Sequence, residues 1–597
     1  MPEVLVSNLK KKISADQGED LLGALYRAGI EIESYCGGMG SCGKCVVIIQ
    51  EGSVSPPNSL EEKHLKEKIK SGFRLACQVK VGGDLSVDIS PSYSAKLEVK
   101  LEAQTEAAKG ELPVKREKFV LSKPPIGKTV SLQDQMEEVL ALTQIGQVSW
   151  SQQSLLGLSR IAGQKEQSFE AVFDPAKVRW VCPFSGEKDF LGMAFDLGTT
   201  TIAGELVDLT SGVSLFRSGA LNRQARYGAD VISRLRAIQD DPANLARLQE
   251  LVIKTMDDLI EEACEKTGHD PERIFALSVA GNTIMEHIFL GASPLSIGVA
   301  PYTPVFLRER LLDGKELNLS INPEAQVYVF PSIAGYVGGD IVSGLAAYDM
   351  MGKKGVTLYV DVGTNGEIVL LDGEKVYCCG TAAGPAFEGA QIYQGTRATL
   401  GAISAVEFKD NQLRIFTIGD VSPRGICGTG LIDSLACLVQ EKLITPTGRL
   451  RGDNSHLKER LREGDKRKFF ILSEDPEIVL TQEDISQLQL AKAALQAGRE
   501  ILLKEAQLKE KDIEEVILAG AFGSFINPKS AQIIGLIPRA PRVRSVGNAS
   551  LLGAKKALLS LEFRRKVSEL AQKANYIELS SWSDFQDHFY QSLIFEV

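Results

Sequence analysis

One turn pattern occurs twice in this chain and constrains its fold more than any other feature. In the run FLGMAFDLGTTTIAGELVDL, an apolar stretch ends at Asp196, a short glycine-threonine turn follows, and a second apolar stretch begins. The pattern returns in TLYVDVGTNGEIVLLDGE, where the acidic residue is Asp361. Each copy predicts a β-hairpin. An internal duplication of such a unit predicts two related half-domains that face each other across a cleft.

The residue types of these two turns are those of a nucleotide site. Glycines let backbone amides approach phosphate oxygens, and neighbouring hydroxyl groups add donors. Carboxylates from opposite half-domains can hold Mg²⁺ through its water ligands. One such turn is also an ordinary hairpin turn, but two of them together favour phosphate binding. The candidate residues are Asp196, Gly198, Thr199 and Thr200 in the first turn and Asp361, Gly363, Thr364 and Asn365 in the second.

Two further glycine-rich elements extend the predicted ATP site. In VILAGAFGSF an apolar strand ends at Gly520 and the chain continues to Gly523, so a flat base could lie against backbone that carries no side chains. Phe522 lies between these glycines and is a candidate for flanking the nucleotide. In ICGTGLIDSLACLV, Gly428 and Thr429 stand at the start of a predicted helix, where backbone amides favour an anion.

Four of the ten cysteines crowd into the first 80 residues and predict a metal centre. Three stand in SYCGGMGSCGKCVVIIQ with the spacing C-x5-C-x2-C, and the fourth follows in RLACQVKV. This asymmetric spacing matches a 2Fe-2S ferredoxin, whereas a structural zinc site usually has two close ligand pairs and this sequence has one. The glycines between the cysteines let the chain wrap closely around a cluster. The predicted ligands are Cys36, Cys42, Cys45 and Cys77.

The same loop contains two phosphate-binding patterns that its context rejects. Gly38, Gly40 and Gly43 satisfy G-x-G-x-x-G, and the run up to Lys44 nearly satisfies the G-x-x-x-x-G-K pattern. A phosphate loop must follow a strand and open a helix. Here a helical pattern precedes the loop and a strand follows it, so the loop is interpreted as a cluster-binding loop.

The chain as a whole predicts a multidomain α/β protein. Its large C-terminal part alternates apolar strands with long helical patterns, which is typical of an α/β domain. We predict four segments: a β-grasp-like 2Fe-2S ferredoxin domain in residues 1–94, a charged and flexible linker in residues 95–128, a small α/β middle domain in residues 129–190, and a duplicated actin-like ATPase domain in residues 191–597.

Composition excludes several classes of partner. A formal net charge of -10 argues against nucleic acid, because phosphate binding needs a clustered basic excess. The longest apolar runs are far shorter than the ~20 residues that span a bilayer, and the N-terminal sequence lacks the features of a secretory signal. We therefore expect no nucleic-acid partner, no membrane partner and a cytoplasmic location.

The glycine-rich elements resemble those of the actin, sugar kinase and heat-shock chaperone ATPase (ASKHA) superfamily. In this resemblance, residues 196–200 and 361–365 are the two phosphate loops, and residues 520–524 are the adenosine motif. The whole chain resembles a narrower family, the reductive activators of corrinoid-dependent enzymes, which join an N-terminal 2Fe-2S domain to such an ATPase domain. Further similar segments are RQARYGADVISR (223–234), SVAGNTIMEH (278–287), PSIAGYVGGD (331–340), AAGPAFEGA (382–390), TQEDISQLQLAKAAL (481–495) and VGNASLLGA (546–554).

This resemblance implies an ATP-hydrolysing electron-transfer protein that reduces an inactive Co(II) corrinoid protein to Co(I). The implied cofactors are a 2Fe-2S cluster, ATP and Mg²⁺, and the implied partners are the corrinoid protein and a low-potential electron donor. Asp196 and Asp361 are the catalytic candidates, together with Glu388, which could orient the attacking water or serve only as a structural contact.

Two alternative functions stay open. The chain could be an iron-sulfur redox sensor that controls a nucleotide-switched domain, although no basic DNA-binding helix is evident as an output surface. It could also activate another low-potential metalloenzyme such as a radical dehydratase. Activators of that kind normally hold their cluster at a dimer interface inside the ATPase domain, and here the cysteines lie in a separate module. For His287, a core histidine is favoured over a metal or corrinoid ligand, and for Cys378 and Cys379 simple burial is favoured.

Overall fold

The computed structural model describes residues 1–596, except for residues 29, 31, 33–35, 37, 41, 90–109, 122–128, 143–147, 163–166, 185–188, 364, 390, 411, 453–456 and 465–467. Much of the predicted linker, residues 95–109 and 122–128, therefore lies outside the described residues. Within the described part of the chain, no helix is both long and apolar enough to cross a bilayer.

The N-terminal domain is a five-stranded mixed sheet covered by a helix. Its elements are β1 (Glu3–Val6), β2 (Lys11–Ser14), α1 (Leu21–Arg27), β3 (Val46–Val54), α2 (Ser59–Leu65), β4 (Phe73–Leu75) and β5 (Val81–Ile89), with strand order β2-β1-β5-β3-β4. The side chain of Asp20 caps α1 by accepting the Gly23 N–H at 2.8 Å. Leu21 and Leu25 of α1 are fully buried in the core of the domain. This arrangement is the β-grasp-like domain expected from the sequence.

A small α/β module follows. Its elements are β6 (Lys115–Leu121), α3 (Leu132–Leu142), β7 (Ser149–Trp150), α4 (Gln152–Ile161), β8 (Gln167–Phe173) and β9 (Lys177–Pro183), with strand order β6-β8-β9-β7. Strand β6 lies inside the segment predicted as a linker, so the module begins before residue 129. The strand is easily overlooked because its polar residues conceal the alternation that buries Phe119 and Leu121.

The first lobe of the C-terminal part is built on a six-stranded sheet. Its elements are β10 (Leu191–Leu197), β11 (Thr201–Asp208), β12 (Ser214–Leu221), α5 (Val231–Asp240), α6 (Asn244–Thr267), β13 (Ile274–Gly281), α7 (Thr283–Phe289), β14 (Arg310–Asp313), β15 (Gln326–Val329) and α8 (Gly339–Ala347), with strand order β12-β11-β10-β13-β15-β14. The small module packs against this lobe, since Arg179 donates to Asp313 at 2.8 Å and to the Glu324 carbonyl at 2.9 Å.

The second lobe has its own six-stranded sheet and two small sheets. Its elements are β16 (Val356–Val362), β17 (Gly366–Asp372), β18 (Lys375–Thr381), β19 (Ala402–Lys409), β20 (Gln412–Thr417), β21 (Gly425–Ile426), α9 (Gly428–Gln440), β22 (Leu461–Glu463), β23 (Lys468–Glu474), β24 (Glu477–Thr481), α10 (Gln482–Glu505), β25 (Ile513–Ala519), α11 (Gly520–Gly523), α12 (Pro528–Ile533), β26 (Arg542–Ser545), α13 (Ala549–Leu559), α14 (Leu561–Lys573), β27 (Asn575–Tyr576) and α15 (Phe585–Ser592). The strand orders are β26-β25-β16-β17-β18-β27, β20-β19-β21 and β22-β23-β24.

The two lobes repeat one topology, which confirms the duplication predicted from the sequence. In the first lobe β10, β11 and β12 form an antiparallel meander, and β13 runs parallel to β10. In the second lobe β16, β17 and β18 form the same meander, and β25 runs parallel to β16. Helices α8 and α13 pack against each other closely enough that a Cβ on Gly553 would lie 2.3 Å from the Ser343 carbonyl oxygen. The two acidic turns thus occupy corresponding places in the two lobes.

Candidate functional site

The four N-terminal cysteines come together in the folded chain. Cys36 and Cys42 form one pair with their Sγ atoms 3.5 Å apart, and Cys45 and Cys77 form a second pair at 3.3 Å. Cys77 also hydrogen-bonds with Cys36, which brings the two pairs together. Two pairs of thiolates fit the two irons of a 2Fe-2S cluster, which takes four cysteine ligands.

The electrostatics of these thiols also favour a cationic centre. The hydrogen bond with Cys77 lowers the pKa of the Cys45 thiol, whereas the hydrogen bonds with Cys36 and Cys45 raise the pKa of Cys77. Four thiolates this close repel one another, because like charges disfavour ionisation of their neighbours. Ferric iron would remove that repulsion, so the donor set fits the cluster.

Glycines and one amide side chain shape the surroundings of the thiols. Gly43 has a φ of +67°, and a Cβ there would lie 2.6 Å from the imidazole of His64. Gln78 donates from Nε2 to the Cys77 Sγ at 3.3 Å and to the Gly38 carbonyl at 2.9 Å. Its Oε1 accepts from Asn58 Nδ2 at 2.9 Å, which sets the orientation of the amide. The sequence did not indicate Gln78, although its position directly after a ligand cysteine was a usable signal.

The first acidic turn lies where β10 ends beside β13. Asp196 is the penultimate residue of β10, and Gly198, Thr199 and Thr200 form the turn into β11. The carboxylate of Asp196 accepts from Ser550 Oγ at 2.8 Å and from Asn548 Nδ2 at 2.8 Å. The hydroxyl of Thr199 accepts from Asn282 Nδ2 at 2.9 Å. The turn is therefore held by residues at the N-terminal ends of α7 and α13, and α13 packs against β10 and β13.

The second acidic turn joins β16 to β17. Asp361 stands near the end of β16, and the Gly363 N–H donates to the Asn365 carbonyl at 3.0 Å within the turn. Thr364 lies outside the described residues. The glycine-rich element of β25 comes directly against this turn, because a Cβ on Gly520 would lie 2.4 Å from Asp361 Oδ1 and the φ of Gly520 is +80°. The structure thus brings together the predicted phosphate turn and the predicted adenosine element.

Two acids that the sequence reasoning missed complete the cleft. Asp340 is the second residue of α8, and Glu367 follows Gly366 in β17. Burial, together with the charges of Asp361 and Asp196, raises the pKa of Asp340 to about 8. Burial and the charge of Asp196 raise the pKa of Asp361 to about 7. Burial also raises the pKa values of Asp196 and Glu367.

These raised pKa values mark a cleft that concentrates negative charge away from bulk water. Such a cleft favours a divalent cation, which relieves the mutual repulsion of the carboxylates. Carboxylates on facing lobes can hold Mg²⁺ through its own water ligands. The run PSIAGYVGGD contains Asp340, and an acid after two glycines at a helix start was the signal available in the sequence.

The other predicted nucleotide residues lie on the second lobe. Gly428 and Thr429 open α9, as expected, but the Thr429 hydroxyl donates to the Ser404 carbonyl at 2.6 Å. The ring of Phe522 stacks on that of Phe387 at a centroid distance of 5.9 Å. A Cβ on Gly428 would lie 2.6 Å from the Phe522 ring, so this glycine makes room for the phenylalanine. Gly523 ends the short helix α11.

The remaining candidates from the sequence are Glu388, His287, Cys378 and Cys379. Glu388 is half-buried at the end of a 3₁₀ helix, Pro385–Glu388. His287 lies in the core: its Nδ1 donates to the Thr283 carbonyl at 2.7 Å and its Nε2 accepts the Val305 N–H at 3.0 Å. Both ring nitrogens are occupied, as expected for a core histidine. Cys378 and Cys379 are fully buried.

A ferredoxin-type cysteine site joined to a two-lobed acidic cleft defines the class of iron-sulfur ATPases, and family models agree with this class. A 2Fe-2S iron-sulfur cluster binding domain matches residues 5–82. The middle region of RACo matches residues 191–353, and the C-terminal ASKHA domain of RACo matches residues 355–597. The predictions of a 2Fe-2S domain and of an ASKHA-type ATPase domain are confirmed.

Similar proteins cover the whole chain. The corrinoid activation enzyme RamQ of Eubacterium limosum is 31% identical over 618 residues, which is 99% of each chain. The [Co(II) methylated amine-specific corrinoid protein] reductase of Methanosarcina barkeri is 23% identical over 67% of this chain and 76% of its own. A solved structure, the reductive activator for corrinoid,iron-sulfur protein, superposes with a TM-score of 0.74 and 33% identity, covering 100% of this chain and 98% of its own. This chain belongs to the family of corrinoid reductive activators, as its resemblance implied.

Proposed function

We propose that this protein uses ATP to drive an electron from its 2Fe-2S cluster to an inactive Co(II) corrinoid protein and so regenerates Co(I). The observation that carries the proposal is the presence, in one chain, of four gathered cysteines and a two-lobed acidic cleft, with an activator relative that matches over 99% of its length. We infer a cytoplasmic location, because a reducing compartment keeps cysteine ligands available for metal.

The residues of the cleft have separable roles in this proposal. Asp196 and Asp361, one on each lobe, would hold Mg²⁺ together with Asp340. The amides of the two turns bind phosphate oxygens, and the segment from Gly520 to Gly523 accepts the base. Glu388 orients the attacking water. Each role uses a group whose place in the fold is described above, and each can be tested by a single substitution.

The cysteine loop supplies the electron. When bound, the 2Fe-2S cluster provides a one-electron carrier, and Cys36, Cys42, Cys45 and Cys77 hold it. A cluster of the plant type has a potential near about -400 mV. The family resemblance implies an acceptor couple that is often lower, and each ~59 mV uphill disfavours a one-electron transfer tenfold, about 1.4 kcal/mol. A low-potential donor must therefore reduce the cluster first.

ATP has to supply the remaining driving force. A ligand shifts an equilibrium only through its different affinities for the two states. We therefore assign to the ATPase lobes the task of gripping the corrinoid protein, so that ATP binding or hydrolysis favours a complex in which Co(I) is trapped. The acidic cleft between the lobes is the place where ATP would exert this effect.

The test is visible spectroscopy of a Co(II) corrinoid protein mixed with the reduced protein and Mg-ATP. We expect the Co(I) absorbance to develop with ATP and to stay absent without it. Two variants serve as matched controls: Asp196→Ala, which removes the nucleotide function alone, and Cys42→Ala, which removes the cluster alone. Equal rates of Co(I) formation with and without ATP would reject the proposal, and so would full activity in either variant.

A further inference from the structure

The 2Fe-2S domain contacts both lobes of the ATPase part at once. Lys44 lies between two predicted cluster ligands, Cys42 and Cys45, and its ammonium group reaches the second lobe. There its Nζ donates to the Ile392 carbonyl at 3.0 Å and to the Gly395 carbonyl at 3.0 Å. Lys44 thus connects the cluster loop to the second lobe through two charge-assisted hydrogen bonds.

The contact with the first lobe involves the cluster loop itself. Cys42 packs against Ala229, which is buried. A groove beside this contact is lined by residues of both domains, among them Tyr26 and Cys77 of the 2Fe-2S domain and Arg226 and Tyr227 of the first lobe. In this arrangement, the edge of the cysteine site at Cys42 faces the ATPase part.

The first-lobe contact is tied directly to the first acidic turn. Arg234 is fully buried, and its guanidinium donates to the Gly228 carbonyl at 3.1 Å and also to the Thr199 carbonyl. Asn222 donates its N–H to the Thr200 carbonyl at 2.9 Å and its Nδ2 to the Gly198 carbonyl at 3.0 Å. The segment 222–234 contains Ala229, which contacts the cluster loop. Its first and last residues, Asn222 and Arg234, are both hydrogen-bonded to the predicted phosphate turn.

The second-lobe contact is also tied to the nucleotide part. Its acceptors, Ile392 and Gly395, lie a few residues after Glu388, the candidate for orienting water. The second-lobe loop 392–395 is held in place because the Tyr393 N–H donates to the buried carboxylate of Asp484 at 2.7 Å. The Gln394 Oε1 also accepts the Val479 N–H at 2.7 Å. A rigid loop of this kind moves with its lobe.

We propose that this surface, formed by residues 226–229 and 392–395, is a docking site for the chain's own 2Fe-2S domain, and that Mg-ATP releases the domain from it. The release by Mg-ATP rests on the proposed function, which places ATP between the lobes. The two contacts lie on different lobes, so only a narrow range of lobe separations allows both. A nucleotide between the lobes changes that separation and breaks the double contact.

Release has a chemical purpose in this scheme. In the docked arrangement, the Cys42 edge of the site packs on the protein's own lobe and is turned away from an external acceptor. After release, the same edge is open to a partner protein. Linkage then requires reciprocity: if Mg-ATP weakens docking by some factor, docking weakens Mg-ATP binding by the same factor.

The test compares Lys44→Ala with a matched lysine variant of the same domain, Lys70→Ala, whose side chain is 76% exposed. Both are prepared as full-length protein carrying the cluster, with the visible spectrum checked for equal cluster content. Hydrogen-deuterium exchange is followed in peptides that cover residues 223–231 and 392–396, and Mg-ATP affinity is measured by calorimetry.

We expect Lys44→Ala to exchange at least threefold faster than wild type in both peptides and to bind Mg-ATP at least threefold more tightly, whereas Lys70→Ala matches wild type. Mg-ATP should accelerate exchange in wild type to the level of Lys44→Ala. Unchanged exchange in Lys44→Ala, or unchanged or weaker Mg-ATP binding, would overturn the proposal. Neither measurement contains a corrinoid protein, so a failure of cobalt reduction with these results intact would reject the proposed function alone.

Discussion

Replacing Asp340 by Asn should have two effects of opposite sign. We expect the protein without nucleotide to become more stable at pH 8, and we expect Mg-ATP hydrolysis to fall at least tenfold. The reason is that the Asp340 carboxylate stands in a cleft with Asp361 and Asp196, whose charges contribute to raising its pKa. Its charge is unfavourable in the empty cleft and useful when Mg²⁺ is bound, and a trade of stability for activity is common at functional sites.

The magnitude follows from the pKa. The value for Asp340 is about 8, against about 3.9 for an unperturbed aspartate, and each unit corresponds to about 1.4 kcal/mol. The full penalty for ionising Asp340 is therefore on the order of 5 kcal/mol at high pH. Because the pKa of Asp340 depends partly on the charges of Asp361 and Asp196 and the new amide must still be buried, we expect roughly 2 kcal/mol of net stabilisation, within the usual range for a relieved buried charge.

The pH dependence gives this prediction a defined sign. A carboxyl group with a raised pKa in the folded protein makes the folded state bind more protons than the unfolded state, so stability falls as pH rises from about 4 to 8. The Asn variant should flatten that fall, and its advantage over wild type should shrink towards pH 5. Mg²⁺ must displace protons from Asp340 and Asp361, so the affinity of wild type for Mg-ATP should rise between pH 6 and pH 8.5.

Calorimetric melting at pH 5 and pH 8, together with a phosphate-release assay, checks these effects. Asp349→Asn is the matched control, because Asp349 lies just after α8, the helix of Asp340, and its side chain is 80% exposed. This variant should change neither the melting temperature nor the rate of Mg-ATP hydrolysis. An Asp340→Asn variant that melts at a lower temperature than wild type at pH 8, or that hydrolyses Mg-ATP at the wild-type rate, would contradict this role of Asp340.

Three further predictions concern the cluster and the turns. Cys42→Ala should lose the 2Fe-2S spectrum while Cys182→Ala keeps it, as measured by iron and sulfide analysis; zinc in place of iron in the wild-type protein would contradict this. Asp196→Ala and Asp361→Ala should each abolish ATP hydrolysis and leave the visible spectrum unchanged, and normal turnover in both would reject their assignment. Gln78→Leu should make the cluster potential more negative by roughly 40 mV, because a hydrogen bond of about 1 kcal/mol to the Cys77 sulfur is lost; redox titration of the variant against wild type measures the shift, and an unchanged potential would show that this bond does not tune the cluster.

Features that depend on local patterns could be predicted from the amino-acid sequence. The spacing of the four cysteines predicted the iron-sulfur site, and their convergence in two pairs needs only one loop and the turn that follows β4. The two acidic turns were equally readable, because a strand, a glycine turn and a second strand are continuous in the chain. The small module after residue 129 was likewise predicted as an α/β unit, and the structure shows helices and strands there. In each case the residues that carry the signal are near one another in sequence.

Which distant residues share a site could be seen only in the folded protein. Asp340 joins the cleft because α8 packs against α13 and begins beside both acidic turns, and no local pattern around residue 340 specifies those neighbours. Asn548, 352 residues away in the sequence, reaches Asp196 because α13 packs against β10 and β13. The Lys44 contact with the loop that includes Gly395 is a still longer-range example. Such contacts depend on how whole lobes and domains pack, and packing is the sum of many weak interactions that a single stretch of sequence does not record.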